Sequence, residues 1–234
     1  FGGLVYGLSS IGEAARHTPV VPPAVPLALG VLALAAFAWR QIVLQREDRA
    51  LLDLRVFTHR GFSVPLGIMA VGMVAMFGSL ILLPLFLQDA MGLEPLATGL
   101  IVLPGGLLMG LLGPTVGRLY DRVGPRPLVI PGVSVVAVAL AAFTTIHADS
   151  SPWFVLALHV TLSLGLAFMF TPLFTSALSS LEPHQYSHGS ASIGTVQQLA
   201  GAAGTAMFVA VMTSRSIAYG EAGASPQVAL AEGV

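Results

Sequence analysis

TGLIVLPGGLLMGLLGPTVGRLYDRVGPRPLVIPGVSVVAVALAAFTTI, residues 98–146, decides the architecture. It holds two apolar runs, each near the roughly 20 residues that carry a helix across a bilayer. Between them lies a short patch with Arg118, Asp121, Arg122 and Arg126. Neither run alternates apolar and polar residues as a membrane barrel strand must. Working outward, four more stretches have the same character, so the predicted spans are 23–44, 63–87, 98–117, 127–146, 153–177 and 190–212. No Asp or Glu lies inside them, and Arg40 sits close enough to a span end to snorkel to the interface.

The composition agrees. The chain is 55% hydrophobic and 9% charged, with a mean hydropathy of +0.86, whereas a soluble domain needs about 25% charged residues to coat its surface. Soluble, disordered and nucleic-acid-binding readings are thereby excluded, and the principal partner is the lipid bilayer. Cys is absent, which removes disulfides, thiolate metal sites and a cysteine nucleophile. The expected fold class is all-α, a polytopic transmembrane helix bundle.

All ten basic residues are Arg, and alternating spans put eight of them on one side. Arg40 stands at the span end on that side, Arg46, Arg49, Arg55 and Arg60 fall in loop 45–62, and Arg118, Arg122 and Arg126 in loop 118–126. Only Arg16 and Arg215 fall on the other side, where Asp89, Glu94 and Asp149 sit. By the positive-inside rule, loops 45–62 and 118–126 face the cytoplasm of a plasma-membrane protein. Within the linker 45–62, Leu51, Leu54 and Phe57 recur at helical spacing around Asp53 and Arg55, which predicts a short amphipathic surface helix; a plain charged linker is the alternative. The tail 213–234 is small-residue-rich and polar, predicting a mobile extracytoplasmic segment. The chain opens on Phe1 in an already apolar stretch, as if inside a span, so a piece of a longer protein is expected.

The patch between the third and fourth spans reads G-R-L-Y-D-R-V-G-P-R, from Gly117 to Arg126. It predicts a tight turn between helix ends. Asp121 can accept hydrogen bonds from a helix N-terminus, and Arg122 and Arg126 can pair with carboxylates or helix C-terminal carbonyls. Gly124 supplies backbone freedom before Pro125 and Pro127. Such a charged latch suits a protein that closes and reopens one face. A loop that only fixes orientation is the plainer reading.

Inside the spans, Gln197 and Gln198 are adjacent amides about 100° apart around a helix, so they face different neighbours. One can line a cavity while the other bonds an adjacent helix; both acting as interhelical glue is the competing account. Gly201, Ala202, Ala203 and Gly204 favour close helix approach. Met69, Met73 and Met76 recur at helical spacing beside Phe77, which suits a site accepting varied apolar molecules, although such stripes also serve ordinary packing or lipid contact. Pro84, Pro104, Pro114 and Pro172 interrupt spans and bend them. His159 is the titratable side chain deep inside a span, about 9 Å below its end, and is a functional candidate for that reason; a neutral histidine bonded between helices is its competitor. His184 and His188 stand four apart but lack the other features of a zinc site, so no metal is expected. No nucleophilic constellation or phosphate-cradling loop is present, which disfavours an enzyme or an ATP-driven pump, and no cofactor is expected.

The loop signature Gly117, Asp121, Arg122, Gly124, Arg126 resembles that of the major facilitator superfamily. The longer text LPLFLQDAMGLEPLATGLIVLPGGLLMGLLGPTVGRLYDRVGPRPLVIPG, with SASIGTVQQLAGAAGTAMF near the end, resembles the second half of the fourteen-span drug:proton antiporters of the EmrB/QacA type. That resemblance implies the C-terminal portion of an exporter of amphipathic compounds, working by alternating access with protons as the counter-ion. Residues 1–44 would be the end of one extra central span and all of a second, and 63–212 would be five spans of the C-terminal bundle. The last span and the N-terminal bundle of the same protein would be missing. Two departures stand out: Gln197 lies where the family usually has Arg, and Pro125 where a basic residue is frequent. A non-transporting membrane interaction or structural module is the alternative from another class.

Overall fold

The computed structural model describes residues 2–4, 6, 7, 10, 22–45 and 50–221, the last five by backbone alone. Among the described residues there is no strand, and six helices are long and apolar enough to cross a membrane. They are α1 (Ala24–Gln45), α2 (Arg60–Leu85), α3 (Pro95–Val123), α4 (Arg126–Phe143), α5 (Pro152–Ser179) and α6 (Tyr186–Glu221). The architecture is an all-α bundle of membrane-spanning helices.

Two helices depart from their expected spans for a visible local reason. Two residues after Pro84 removes a backbone donor, the α2 ladder widens into a π turn, Phe86–Ala90, closed by the Met91 N–H donating to the Phe86 carbonyl at 3.1 Å. Pro104 and Pro114 lie inside α3, which nonetheless continues to Val123. The stretch expected to be a turn from Gly117 is therefore mostly helix: only Gly124 and Pro125 break it. Gly124 takes φ 78°, which a side chain would disfavour, and its N–H closes the helix on the Tyr120 carbonyl at 2.8 Å. Residues 213–221, where a mobile tail is expected, continue α6 as helix; 222–234 lie outside the described residues. In the linker, the expected amphipathic helix is reduced to a single 3-10 turn, Leu54–Thr58. Arg46 and Arg49 lie outside the described residues. The expected stripe is not buried as one face: Leu51 is 81% exposed, Phe57 is exposed and Leu54 half-buried, while the buried residue of the turn is Val56, outside the stripe.

The chain divides into two compact units, residues 1–78 with 174–213, and residues 79–173 with 214–234. In the first, glycines let helices approach to backbone contact. A Cβ placed on Gly30 of α1 would stand 2.5 Å from the Leu4 amide nitrogen, and one on Gly204 of α6 would stand 2.5 Å from the Val74 carbonyl of α2. In the second unit, a Cβ on Gly132 of α4 would stand 3.1 Å from the Gly165 carbonyl of α5. Lipid tails are as apolar as the helices, so close packing of this kind supplies much of what holds membrane helices together.

Candidate functional site

The second unit carries a buried polar seam between α3 and α5. His159 lies near the same depth on α5 as Val102 on α3, and its Nε2–H donates to the Val102 carbonyl at 3.2 Å. The ring fits because residue 105 is glycine: a Cβ there would stand 2.5 Å from both His159 Nε2 and Ser163 Oγ. His159 is 8% exposed, Ser163 6% and Thr98 4%. His159 Nδ1 and Thr98 Oγ1 are buried without a hydrogen-bond partner. Toward the end bearing the loops on either side of α3 and α4, Leu83, Leu87 and Val155 form an apolar plug joined by Met91, Leu93, Ile101, Val102, Phe143 and Ile146. The sequence marks His159 as exceptional; it does not mark Gly105 or Ser163 as its surroundings.

At the far end of α3, Asp121, Arg122 and Arg126 are exposed. Arg118 donates through Nε to the Pro114 carbonyl at 3.3 Å. Among the described residues, the Asp121, Arg122 and Arg126 side chains make no hydrogen bond or ion pair. Asp121 stands in the last turn of α3, where the helix dipole disfavours a negative charge. No side chain caps the start of α4. The carboxylate thus does not bond the neighbouring helix N-terminus.

In the first unit, α2 and α6 meet along a seam that includes Phe77 of the predicted cavity residues. The Phe77 ring lies against Gly201, within 3.0 Å of a Cβ placed there, and the Phe208 ring covers Gly78. Met69 is buried, and Met73 and Phe77 are half-buried. Gln197 precedes Gly201 and Gly204 by four and seven residues, so it shares their face of α6 and is half-buried. Gln198, turned by about 100°, is exposed. The two amides face apart, as their adjacency requires.

A polar clamp near the start of this unit had no sequence signal. Asp53 caps the 3-10 turn through the Arg55 N–H at 2.8 Å, receives Arg55 Nε at 2.9 Å, and receives Gln45 Nε2 at 2.7 Å. Gln41 Oε1 accepts from the Leu52 N–H at 3.1 Å. His188 Nδ1 lies 3.3 Å from the Asp53 amide nitrogen and 3.2 Å from the Leu51 carbonyl, so it accepts from the first when unprotonated there and donates to the second when protonated. The clamp fixes the linker between α1 and α6. Burial pushes the Asp53 carboxyl up, but hydrogen bonds from the Arg55 side chain and amide, its positive charge and Gln45 together hold it below the usual range. A depressed folded value means the carboxylate's contribution is present above about pH 4 and is lost as pH falls through the lower folded value. Asp53→Ala is therefore expected to loosen the linker by about 1–2 kcal/mol at neutral pH, chiefly the lost cap. The difference from the parent chain should shrink below pH 4. Hydrogen exchange of amides 51–58 in lipid checks both; equal protection at pH 7 would refute them.

With this geometry in hand, the chain's likenesses are specific. The profile of the Major Facilitator Superfamily matches residues 2–205. The lincomycin resistance protein LmrB of Listeria monocytogenes is 38% identical over 221 residues, covering 94% of this chain and 46% of that protein. LmrB of Bacillus subtilis is 35% identical, over 92% of this chain and 44% of its own length. The multidrug resistance protein B homolog of Mycobacterium tuberculosis is 31% identical, over 89% and 38%. The chain spans less than half the length of these relatives. Since the profile match takes in five complete spanning helices and most of a sixth, this multi-pass membrane chain belongs to the Major Facilitator Superfamily of transporters.

Proposed function

We propose that the chain is the C-terminal portion of a secondary active exporter that moves amphipathic compounds out of the cytoplasm in exchange for protons. The observation that carries this reading is the α3–α4 turn. Its Asp121, Arg122 and Arg126 are exposed and make no hydrogen bond or ion pair among the described residues, yet they belong to a chain whose relatives are more than twice its length. Charged groups so placed suit a latch whose carboxylate and carbonyl partners stand on another bundle of the same protein. Alternating access then consists of making and breaking that latch as two bundles rock about a central site. Loops 45–62 and 118–126 face the cytoplasm in this scheme, which puts the latch on the cytoplasmic face.

Substrate contact falls to Gln197, Gln198, Met73 and Phe77. Polarizable thioether and ring surfaces accept varied apolar bodies, and the amides supply polar contacts. The names of the relatives, lincomycin and multidrug resistance, support a drug-like cargo. No carboxylate lies within the apolar stretches 23–44, 63–87, 98–117, 127–146, 153–177 and 190–212, so coupling acids would be supplied from outside this chain.

The test is transport in proteoliposomes carrying the full-length protein, with lincomycin as probe and an imposed pH gradient. Uptake should follow the gradient and collapse when a protonophore dissipates it. Gln198→Leu should change the rate or the substrate profile. Uptake indifferent to the gradient would refute proton exchange, and no uptake under any gradient would favour a non-transporting membrane module.

A further inference from the structure

His188 of the linker clamp sits between a donor and an acceptor of the same stretch of main chain. Its Nδ1 lies 3.3 Å from the Asp53 amide nitrogen and 3.2 Å from the Leu51 carbonyl oxygen. One ring nitrogen cannot serve both at once. Bare, it accepts from the Asp53 N–H; carrying a proton, it donates to the Leu51 carbonyl and can accept from nothing. The export scheme makes no use of this choice.

The two sides of the contact differ in firmness. On α6, the His188 carbonyl accepts from Ser192 Oγ at 2.8 Å, Ser192 is buried, and Gly189 packs directly against the Leu181 side chain. On the linker, residues 51–53 precede the 3-10 turn and hang on side chains: the Leu52 N–H on Gln41 Oε1, the Asp53 carboxylate on Gln45 Nε2, and the Asp53 N–H on His188. A change of proton on the ring is therefore taken up by the linker, not by α6. The charged and titratable groups of the elements that meet here, among the described residues, are few. Asp53 and Arg55 pair with each other at 2.9 Å, His59 and Arg60 stand where the linker enters α2, and Glu182 and His184 lie 3.4 Å apart in the turn before α6. α1 bonds the linker through Gln41 and Gln45, both neutral. Among the described residues no carboxylate pairs with His188, and the ring is half-buried, within reach of solvent protons.

We propose that His188 is a proton-operated switch in the linker: its bare Nδ1 holds the Asp53 amide, and on taking a proton from solvent the ring releases that amide and holds the Leu51 carbonyl instead. The released amide belongs to a residue 5% exposed and the newly held carbonyl to one 81% exposed. The hold thus moves from the buried root of the 3-10 turn, which Asp53 caps, to its exposed approach. That turn runs through His59 directly into α2, so the switch acts on how the start of α2 is tied to α6. In the proposed orientation loop 45–62 faces the cytoplasm, and the ring then reads the cytoplasmic pH; the exchange of partners itself does not rest on that orientation or on export.

The experiment is magic-angle NMR of the chain, labelled with 15N and 13C, in phosphatidylcholine bilayers stepped from about pH 8 to about pH 5, the interval in which histidine ordinarily changes charge. It follows the His188 ring nitrogens, assigned by their loss in His188→Gln, the Leu51 carbonyl carbon, and the exchange protection of the Asp53 amide relative to its intrinsic rate. The upper end should show a bare Nδ1 close to the Asp53 amide proton. As Nδ1 gains its proton, the Leu51 carbonyl should shift in step and the Asp53 protection should fall roughly two- to tenfold, the loss of about one hydrogen bond. The Arg55 amide is the internal control. Its acceptor is the Asp53 carboxylate, at 2.8 Å, which stays ionised down to about pH 4, so its protection should hold. His188→Gln keeps a donor and an acceptor but cannot titrate, and should make the Asp53 protection independent of pH; His184→Gln should leave the parent response intact. An Nδ1 already protonated at the upper end, or still bare at the lower, overturns the proposal. So does Asp53 protection that stays flat while Nδ1 titrates, that falls together with Arg55, that still responds to pH in His188→Gln, or that stops responding in His184→Gln.

Discussion

Gly204→Val is expected to destroy the α2–α6 seam. Any Cβ at this position would stand 2.5 Å from the Val74 carbonyl oxygen and 2.7 Å from its Cα. Both are backbone atoms of α2, so no side chain can swing aside and the helices themselves must separate. Separation would also lift Phe77 off Gly201 and Phe208 off Gly78, the contacts that flank the crossing. In a bilayer there is no water-driven force to close the gap again, because lipid fills it as readily as protein does. Overpacking of flexible cores costs about 1–3 kcal/mol; against rigid backbone we expect about 3 kcal/mol or more, with the branched valine worse than alanine. The comparison is Gly194→Ala on the same helix, where a Cβ meets nothing within 4 Å. That change should be neutral, or stabilising by up to about 1 kcal/mol through helix propensity. Thermal unfolding of the two variants in the same detergent separates them, and a Gly204→Val chain as stable as Gly194→Ala would show that the helices do not meet here.

This contrast also shows what was legible in the sequence. That 190–212 would cross a membrane follows from composition, and that Gly201 and Gly204 mark a close approach follows from the small-residue pattern. Which glycines face a neighbour does not follow: Gly194 and Gly204 look alike until α2 is in place. The same limit governs the span ends. Apolar length predicts an end at Gly117, but the helix runs on through Arg118 and Arg122, whose long side chains tolerate the interface, and it stops only where Gly124 adopts a positive φ. His159 is conspicuous in an apolar run, whereas its partner is a main-chain carbonyl 57 residues away and its notch is one glycine among many. The linker clamp was invisible for the same reason: Asp53 and His188 are separated by 135 residues, and nothing local to either announces the other. Periodicity and composition report what a segment does with its solvent; long-range pairings between polar atoms are set by the packing and carry no local signal.

Asp121→Asn is expected to act with opposite signs on stability and on transport. Within this chain the carboxylate sits in the last turn of α3, facing the negative end of the helix dipole, and makes no hydrogen bond or ion pair among the described residues. Removing its charge should leave the thermal stability of the chain unchanged or raise it slightly. In the full-length protein of the proposed exporter, the same carboxylate bonds a partner on the other bundle. A hydrogen bond to a charged group contributes about 1.5–3 kcal/mol, which corresponds to roughly 10–100-fold in the latch equilibrium. Lincomycin uptake by proteoliposomes, normalised to reconstituted protein, should therefore fall by about that factor in Asp121→Asn. Arg122→Lys tests the partner chemistry, since a single ammonium cannot reproduce a bidentate guanidinium contact; it should lose transport while keeping the membrane orientation that a basic residue secures. If the turn served orientation alone, Asp121→Asn and Arg122→Lys would both transport like the parent, because each keeps the excess of positive charge on its side. A loss of transport with an unchanged or higher unfolding temperature is the one pattern that a latch produces and that neither a folding defect nor a topological signal can.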